Sequence, residues 1–181
     1  FFLDDKSEFF KYVDTHWLEP KELDGLDAEA KLLKRRSSIS SRGLAGLNQL
    51  ILERKESICR ILKLITRYLE QVPDAKMLIH CTAGKDRTGM ICMLLQSVAG
   101  CSDQEMITEY TISEKEAKHI MARAFQRHSN PLIDADIMSG ANKEGMEGAL
   151  LHLRSTYGSV DDYLETMGFD TSWRGRLRQV L

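Results

Sequence analysis

Ile79-His80-Cys81-Thr82-Ala83-Gly84-Lys85-Asp86-Arg87-Thr88-Gly89 is the stretch that decides how this chain is read. Met77-Leu78-Ile79 leads into it, and Met90-Ile91-Cys92-Met93-Leu94-Leu95 leads out. The first run is short, apolar and preceded by Pro73-Asp74, which predicts a buried strand over 75–79. The second predicts a helix from Arg87 to Ala99 that stops at Gly100. A strand feeding a loop that opens a helix is an anion site, because the first N–H groups of a helix have no partner inside it.

The residues of the loop add a reaction to that site. Cysteine is a nucleophile as the thiolate, and a helix N-terminus, convergent N–H groups and an arginine all lower its pKa. Cys81 and Arg87 supply this arrangement if the loop wraps into a cradle. Gly84 lets the backbone turn with positive φ, and Gly89 lets the next helix approach closely. The cradle would hold a tetrahedral dianion on the backbone of Thr82, Ala83, Gly84, Lys85, Asp86 and Arg87, with the Arg87 guanidinium as a bidentate fork. A phosphate ester is the natural ligand, and Cys81 lies at the base for in-line attack on phosphorus. Thr88 can hydrogen-bond the sulfur when it leaves, and the His80 ring can brace the loop through backbone contacts.

The remainder of the chain bounds the setting. Its 181 residues suffice for one domain with a real core. An apolar share of 43% with 29% charged residues is that of a globular protein, and a net charge of −2 excludes a field that would draw nucleic acid. No apolar run is long enough for stable membrane insertion, and no secretory signal stands at the start. The four cysteines have no CxxC spacing and read as reduced thiols, which predicts a cytoplasmic protein. The five histidines suggest no metal site, and nothing calls for a cofactor. The chain begins Phe1-Phe2 without methionine, and is expected to be a fragment or a processed product.

Helical spacing is predicted over 5–19, capped by Ser7, and over 26–36 with a basic end. Residues 37–43 read as a polar loop, and Leu44 to Leu52 is the one internal candidate for a second strand. Residues 54–71 form the clearest amphipathic helix, with Ile58, Ile61, Leu62, Ile65, Tyr68 and Leu69 on one face. Ser102 to Glu105 and Ser113 to Glu116 are capping boxes opening helices through Thr111 and Arg127. Residues 129–142 are loop-like. Three further helices are expected from Glu144 to Thr156, Ser159 to Met167 and Ser172 to Val180.

His80-Cys81-x-x-Gly84-x-x-Arg87-Thr88 resembles the signature of the cysteine-dependent protein tyrosine phosphatase superfamily. The longer string HCTAGKDRTG is similar to its bacterial and fungal tyrosine/serine phosphatase branch, some members of which act on phosphoinositides. Glu109-Tyr110-Thr111-Ile112-Ser113 resembles that branch's DY-x-x-S segment, Gly158-Ser159-Val160-Asp161-Asp162-Tyr163-Leu164 its GS-x-x-x-YL segment, and Ser41-Arg42-Gly43-Leu44 its RGL segment. The resemblance covers 41–181 as a catalytic region and leaves 1–40 as a divergent or partial helical segment without the branch's RDLGG-like stretch. It implies an α/β fold, a parallel-sheet core flanked by helices, with few strands in this chain because the N-terminal part of the domain is missing. It implies Cys81 as nucleophile, Arg87 as phosphate clamp, Lys85 as a contact for anionic head groups, and Asp86 as the general acid, since no Trp-Pro-Asp tripeptide is present. The activity implied is hydrolysis of phosphate monoesters on proteins (phosphotyrosine, phosphoserine or phosphothreonine) or phosphoinositides through a cysteinyl-phosphate. The alternative is an inactive truncated phosphatase that binds phospho-ligands.

Other readings fit less well. A nucleotide P-loop needs Ser or Thr after Gly84-Lys85 and a glycine five residues before Gly84, and neither is present. A rhodanese-type loop is shorter and does not require Arg87-Thr88. Cys59, Cys92 and Cys101 read as structural thiols, Tyr110 and Tyr163 as packing residues, and Trp17 and Trp173 as core anchors near the two ends.

Overall fold

The computed structural model describes residues 11, 13–81, 83–116, 119–120 and 140–181. Eight α-helices are delimited there: α1 (Ala28–Ser41), α2 (Gly43–Leu52), α3 (Lys55–Gln71), α4 (Asp86–Ala99), α5 (Asp103–Ile112), α6 (Lys143–Tyr157), α7 (Val160–Thr166) and α8 (Thr171–Val180). A 3₁₀ turn, Pro20–Glu22, precedes them, and residues 11 and 13–16 are also helical. Most of the sequence-predicted helices appear within a few residues of their expected ends. The helix expected over 5–19 lies partly outside the described residues, as do most of the helix expected from Ser113 to Arg127 and most of the 129–142 loop.

Caps explain several starts. Asp27, Ser102, Asn142, Ser159 and Asp170 each accept a hydrogen bond from the backbone N–H three residues on. Ser102 and Glu105 form the reciprocal capping box that the sequence predicts. Gly100, with φ 93°, closes α4 in the left-handed conformation.

Three expectations are corrected. Residues 37–43 are not a loop, because α1 continues to Ser41. Its serines bond back to the helix: Ser41 Oγ donates to Ser38 O at 2.9 Å, and Arg42 Nη1 donates to Ser38 Oγ at 2.8 Å. Leu44 to Leu52 is helix, not strand. Leu44, Gly46, Asn48, Leu50 and Leu52 are all buried, an alternation that mimics a strand. It arises because α2 is enclosed by α1, α4 and α6, and a stretch with no neighbouring strand can pair its backbone internally only as a helix. Residues 75–79 have no regular secondary structure, and Leu78 is 85% exposed rather than buried. No strand occurs among the described residues, so the parallel-sheet core implied by resemblance is not seen in them, and this segment has no ladder to join.

The main core is built around α4, which touches α2, α3, α5, α7 and α8. Met90, Met93, Leu94 and Val98 of α4 are buried with Ile58 and Leu62 of α3, Met106 of α5, Leu150 and Leu153 of α6, Leu164 of α7 and Leu177 of α8. Both helix ends are held. Arg178 Nε donates to Val98 O at 2.8 Å near the C-terminus, while the N-terminus carries the cysteine loop. A smaller cluster of Val13 and Leu50, with Trp17, Leu18 and Ile39 against it, ties the N-terminal residues to α2. Val13, Trp17, Leu18 and Ile39 are therefore packed onto the helical body.

Candidate active site

The loop from Cys81 to Lys85 enters α4 with no side chain capping the helix, so its first-turn N–H groups face the loop unclaimed by a cap. Gly84 makes the turn at φ 69°, a conformation that disfavours any residue with a Cβ, although a Cβ there would meet no atom within 4 Å. The turn closes with Gly89 N–H donating to Lys85 O at 2.6 Å. Thr82 lies outside the described residues.

Cys81 is half-buried, and burial alone would raise its thiol pKa. Hydrogen bonds from the Thr88 hydroxyl and the N–H groups of Thr88, Ala83 and Gly84 more than offset this, and the thiol lies below its ordinary value. Thr88 Oγ1 is buried and makes no hydrogen bond of regular geometry. It lies against the sulfur and favours a thiolate there, without closing a full bond to the thiol. Cys92, by contrast, is pushed up by burial and by Glu109, as suits a packing thiol.

Arg87 is half-buried on the first turn of α4, and its charge acts on Asp86. Burial pushes the Asp86 carboxyl above the ordinary carboxylate range, and the cations of Lys85 and Arg87 only partly pull it back. Lys85 Nζ stands 2.6 Å from Asp86 Oδ1, and the lysine side chain is 0% exposed against 19% for the aspartate. The head-group contact expected of Lys85 thus meets a buried side chain already held by its neighbour. His80 is exposed.

Two residues lie behind the loop: Tyr110, which the sequence reads as a packing residue, and Asn48, to which it assigns no role. A Cβ at Gly89 would lie 2.7 Å from Tyr110 Cε2, so the Tyr110 ring of α5 rests directly on α4 one residue after Thr88. The Tyr110 hydroxyl and Asn48 Oδ1 of α2 are both buried near one another, and neither is in a regular hydrogen bond. Asn48 Nδ2 donates to Gly145 O at 3.1 Å. Burial, and the charge of Asp86, hold the Tyr110 phenol well above its ordinary range, so it remains protonated. The one sequence signal for Asn48 was an amide inside the apolar run Leu44 to Leu52.

A half-exposed, depressed thiol at an uncapped helix start, next to a carboxyl that burial pushes above its ordinary range, is an arrangement that can attack an electrophile and assist a leaving group. Residues 6–181 match the tyrosine phosphatase family. A tyrosine-protein phosphatase of Nostoc commune is 36% identical over 107 residues, 52% of this chain and 35% of that protein. A triple specificity protein phosphatase of Mycobacterium tuberculosis is 29% identical over 119 residues, covering 58% of this chain and 43% of that protein. The chain thus spans less than half the length of either relative. The match across nearly all of its residues carries the conclusion that the chain belongs to the tyrosine phosphatase family.

Proposed function

We propose that this chain hydrolyses phosphate monoesters through a cysteinyl-phosphate on Cys81. The observation that carries the reading is the depressed Cys81 thiol, facing the N–H groups of Ala83, Gly84 and Thr88 at the uncapped start of α4. The substrate dianion sits on the backbone of residues 82–87 with Arg87 as clamp. Cys81 Sγ attacks phosphorus, the phosphorus–oxygen bond to the alcohol breaks, and the Asp86 carboxyl gives its proton to that oxygen. Water then attacks the cysteinyl-phosphate, Asp86 takes a proton from it, and the thiolate leaves toward the Thr88 hydroxyl. General acid help of this kind contributes about 10²–10⁴ in rate.

Phosphotyrosine on proteins is the primary substrate in this reading, with phosphoserine, phosphothreonine and phosphoinositides as further members of the class. Residues 41–181 form the catalytic region. All four cysteines are free thiols, as a thiolate enzyme of the cytoplasm requires. No helix among the described residues is long and apolar enough to cross a membrane.

Hydrolysis of p-nitrophenyl phosphate tests the reading. Wild type should turn over and Cys81→Ser should fall to background. Equal background rates for both overturn it. If inorganic phosphate still slows alkylation of Cys81, a phospho-ligand binding module is what remains.

A further inference from the structure

Lys85 and Asp86 are adjacent, and adjacent side chains on a helix start ordinarily diverge into solvent. Here they converge. The ammonium is wholly buried and stands 2.6 Å from the carboxylate, which itself retains a small exposed face. An ammonium withdrawn from water and committed to one carboxylate is poorly placed to meet a bulky head group, which leaves its charge to act inside the loop. Among the described residues, Asp86 is faced from the loop, α4 and α5. Lys85 comes from the loop, Arg87 from α4, and the neutral Tyr110 phenol from α5; the Cys81 sulfur and Glu114 also face that phenol.

We propose that Lys85 is a positioning residue for Asp86: its buried ammonium fixes where that carboxyl points and how readily it gives and takes a proton, and takes no part in choosing between lipid and peptide substrates. This rests on the reading of Asp86 as the proton donor. The two halves of the reaction need opposite states of the same carboxyl, protonated when the alcohol leaves and ionised when water attacks. Burial without Lys85 would hold the proton and stall the second half. The same pair of cations in open water would strip it and stall the first. A buried lysine opposite a buried carboxyl sets the balance between them.

The test replaces the charge and keeps the volume. Aspartate carboxyl carbons are labelled with carbon-13, the Asp86 signal is assigned with Asp86→Asn, and wild type and Lys85→Met are titrated by NMR. The Asp86 midpoint should rise by about 1–3 pH units in Lys85→Met, the size expected on losing an opposite charge at this distance. The basic limb of kcat/KM should move up in parallel for a phosphotyrosine peptide and for phosphatidylinositol phosphate vesicles, with their ratio held within about twofold, and Lys85→Arg should restore the wild-type limb. Lys85→Gln serves in the same titration if Lys85→Met does not unfold cooperatively. An unmoved Asp86 midpoint in a folded neutral variant overturns the proposal, as does a selective loss of lipid hydrolysis of about tenfold or more. The carboxyl titration needs no turnover, so it judges the pair even if wild type proves inactive, in which case only the hydrolytic reading is lost.

Discussion

Thr88 carries a hydroxyl whose placement suits the proposed reaction. Its Oγ1 is buried, lies against Cys81 and lacks a regular partner. A buried orphan donor costs stability unless another state satisfies it, and the charged sulfur is that partner. The folded Cys81 pKa is lowered, so thiolate is present below the ordinary thiol range and is lost as pH falls through the lowered value. In Thr88→Val, which keeps the shape and removes the hydroxyl, the midpoint of iodoacetamide alkylation of Cys81 against pH should rise by about one unit. An unchanged midpoint would show that the backbone N–H groups hold the thiolate unaided. The places of Cys81, Asp86 and Arg87 were legible in the sequence because their relation is local, fixed by a tight turn and one helical turn. The burial of Lys85 was not, since it depends on what covers the loop from elsewhere in the chain.

The helices carry a second lesson, about period. Residues 54–71 read correctly as a helix because one face is buried and the other carries Arg60, Lys63 and Arg67. Leu44 to Leu52 misled because α1, α4 and α6 bury alternate positions along it, which hides the 3.6-residue signal. Small residues allow that enclosure: a Cβ at Gly148 of α6 would lie 2.4 Å from the Ala45 Cβ of α2, so the two helices meet almost backbone to backbone. Gly89 instead lets the Tyr110 ring of α5 rest on the backbone of α4. Gly89→Ala would gain about 1 kcal/mol in helix propensity but force a Cβ to 2.7 Å from the Tyr110 ring, an overpacking cost of about 1–3 kcal/mol. The expected outcome is a lower thermal midpoint together with reduced hydrolysis, because the ring lies directly behind the loop. A variant as stable and active as wild type would mean that Tyr110 can swing away freely.

The body of the molecule is closed by contacts between residues far apart in sequence. Tyr163 of α7 is fully buried, and its hydroxyl donates to Leu52 O at the end of α2, 2.5 Å away. One residue on, Glu53 accepts from Tyr157 Oη at 3.0 Å and lies 2.9 Å from His152 Nε2. Burial would raise the Glu53 carboxyl, but these α6 partners hold it below its ordinary range. Lys55 Nζ sits 4.2 Å from the centre of the Tyr157 ring, so the turn between α2 and α3 is clasped by α6 and α7. Tyr163→Phe keeps the ring and leaves the Leu52 carbonyl unpaired in the core, which should cost about 1–3 kcal/mol in urea unfolding with an unchanged slope. A loss well below that would show that water reaches the carbonyl. By itself the sequence determined the family and most of the helix ends, because motif spacing, caps and stop signals act over a few residues. Only the tertiary structure decided that Leu44 to Leu52 is helix, that Leu78 lies in the open, and that Lys85 turns inward onto Asp86. Those outcomes depend on which surfaces meet, and enclosure by distant elements leaves no periodic mark along the chain.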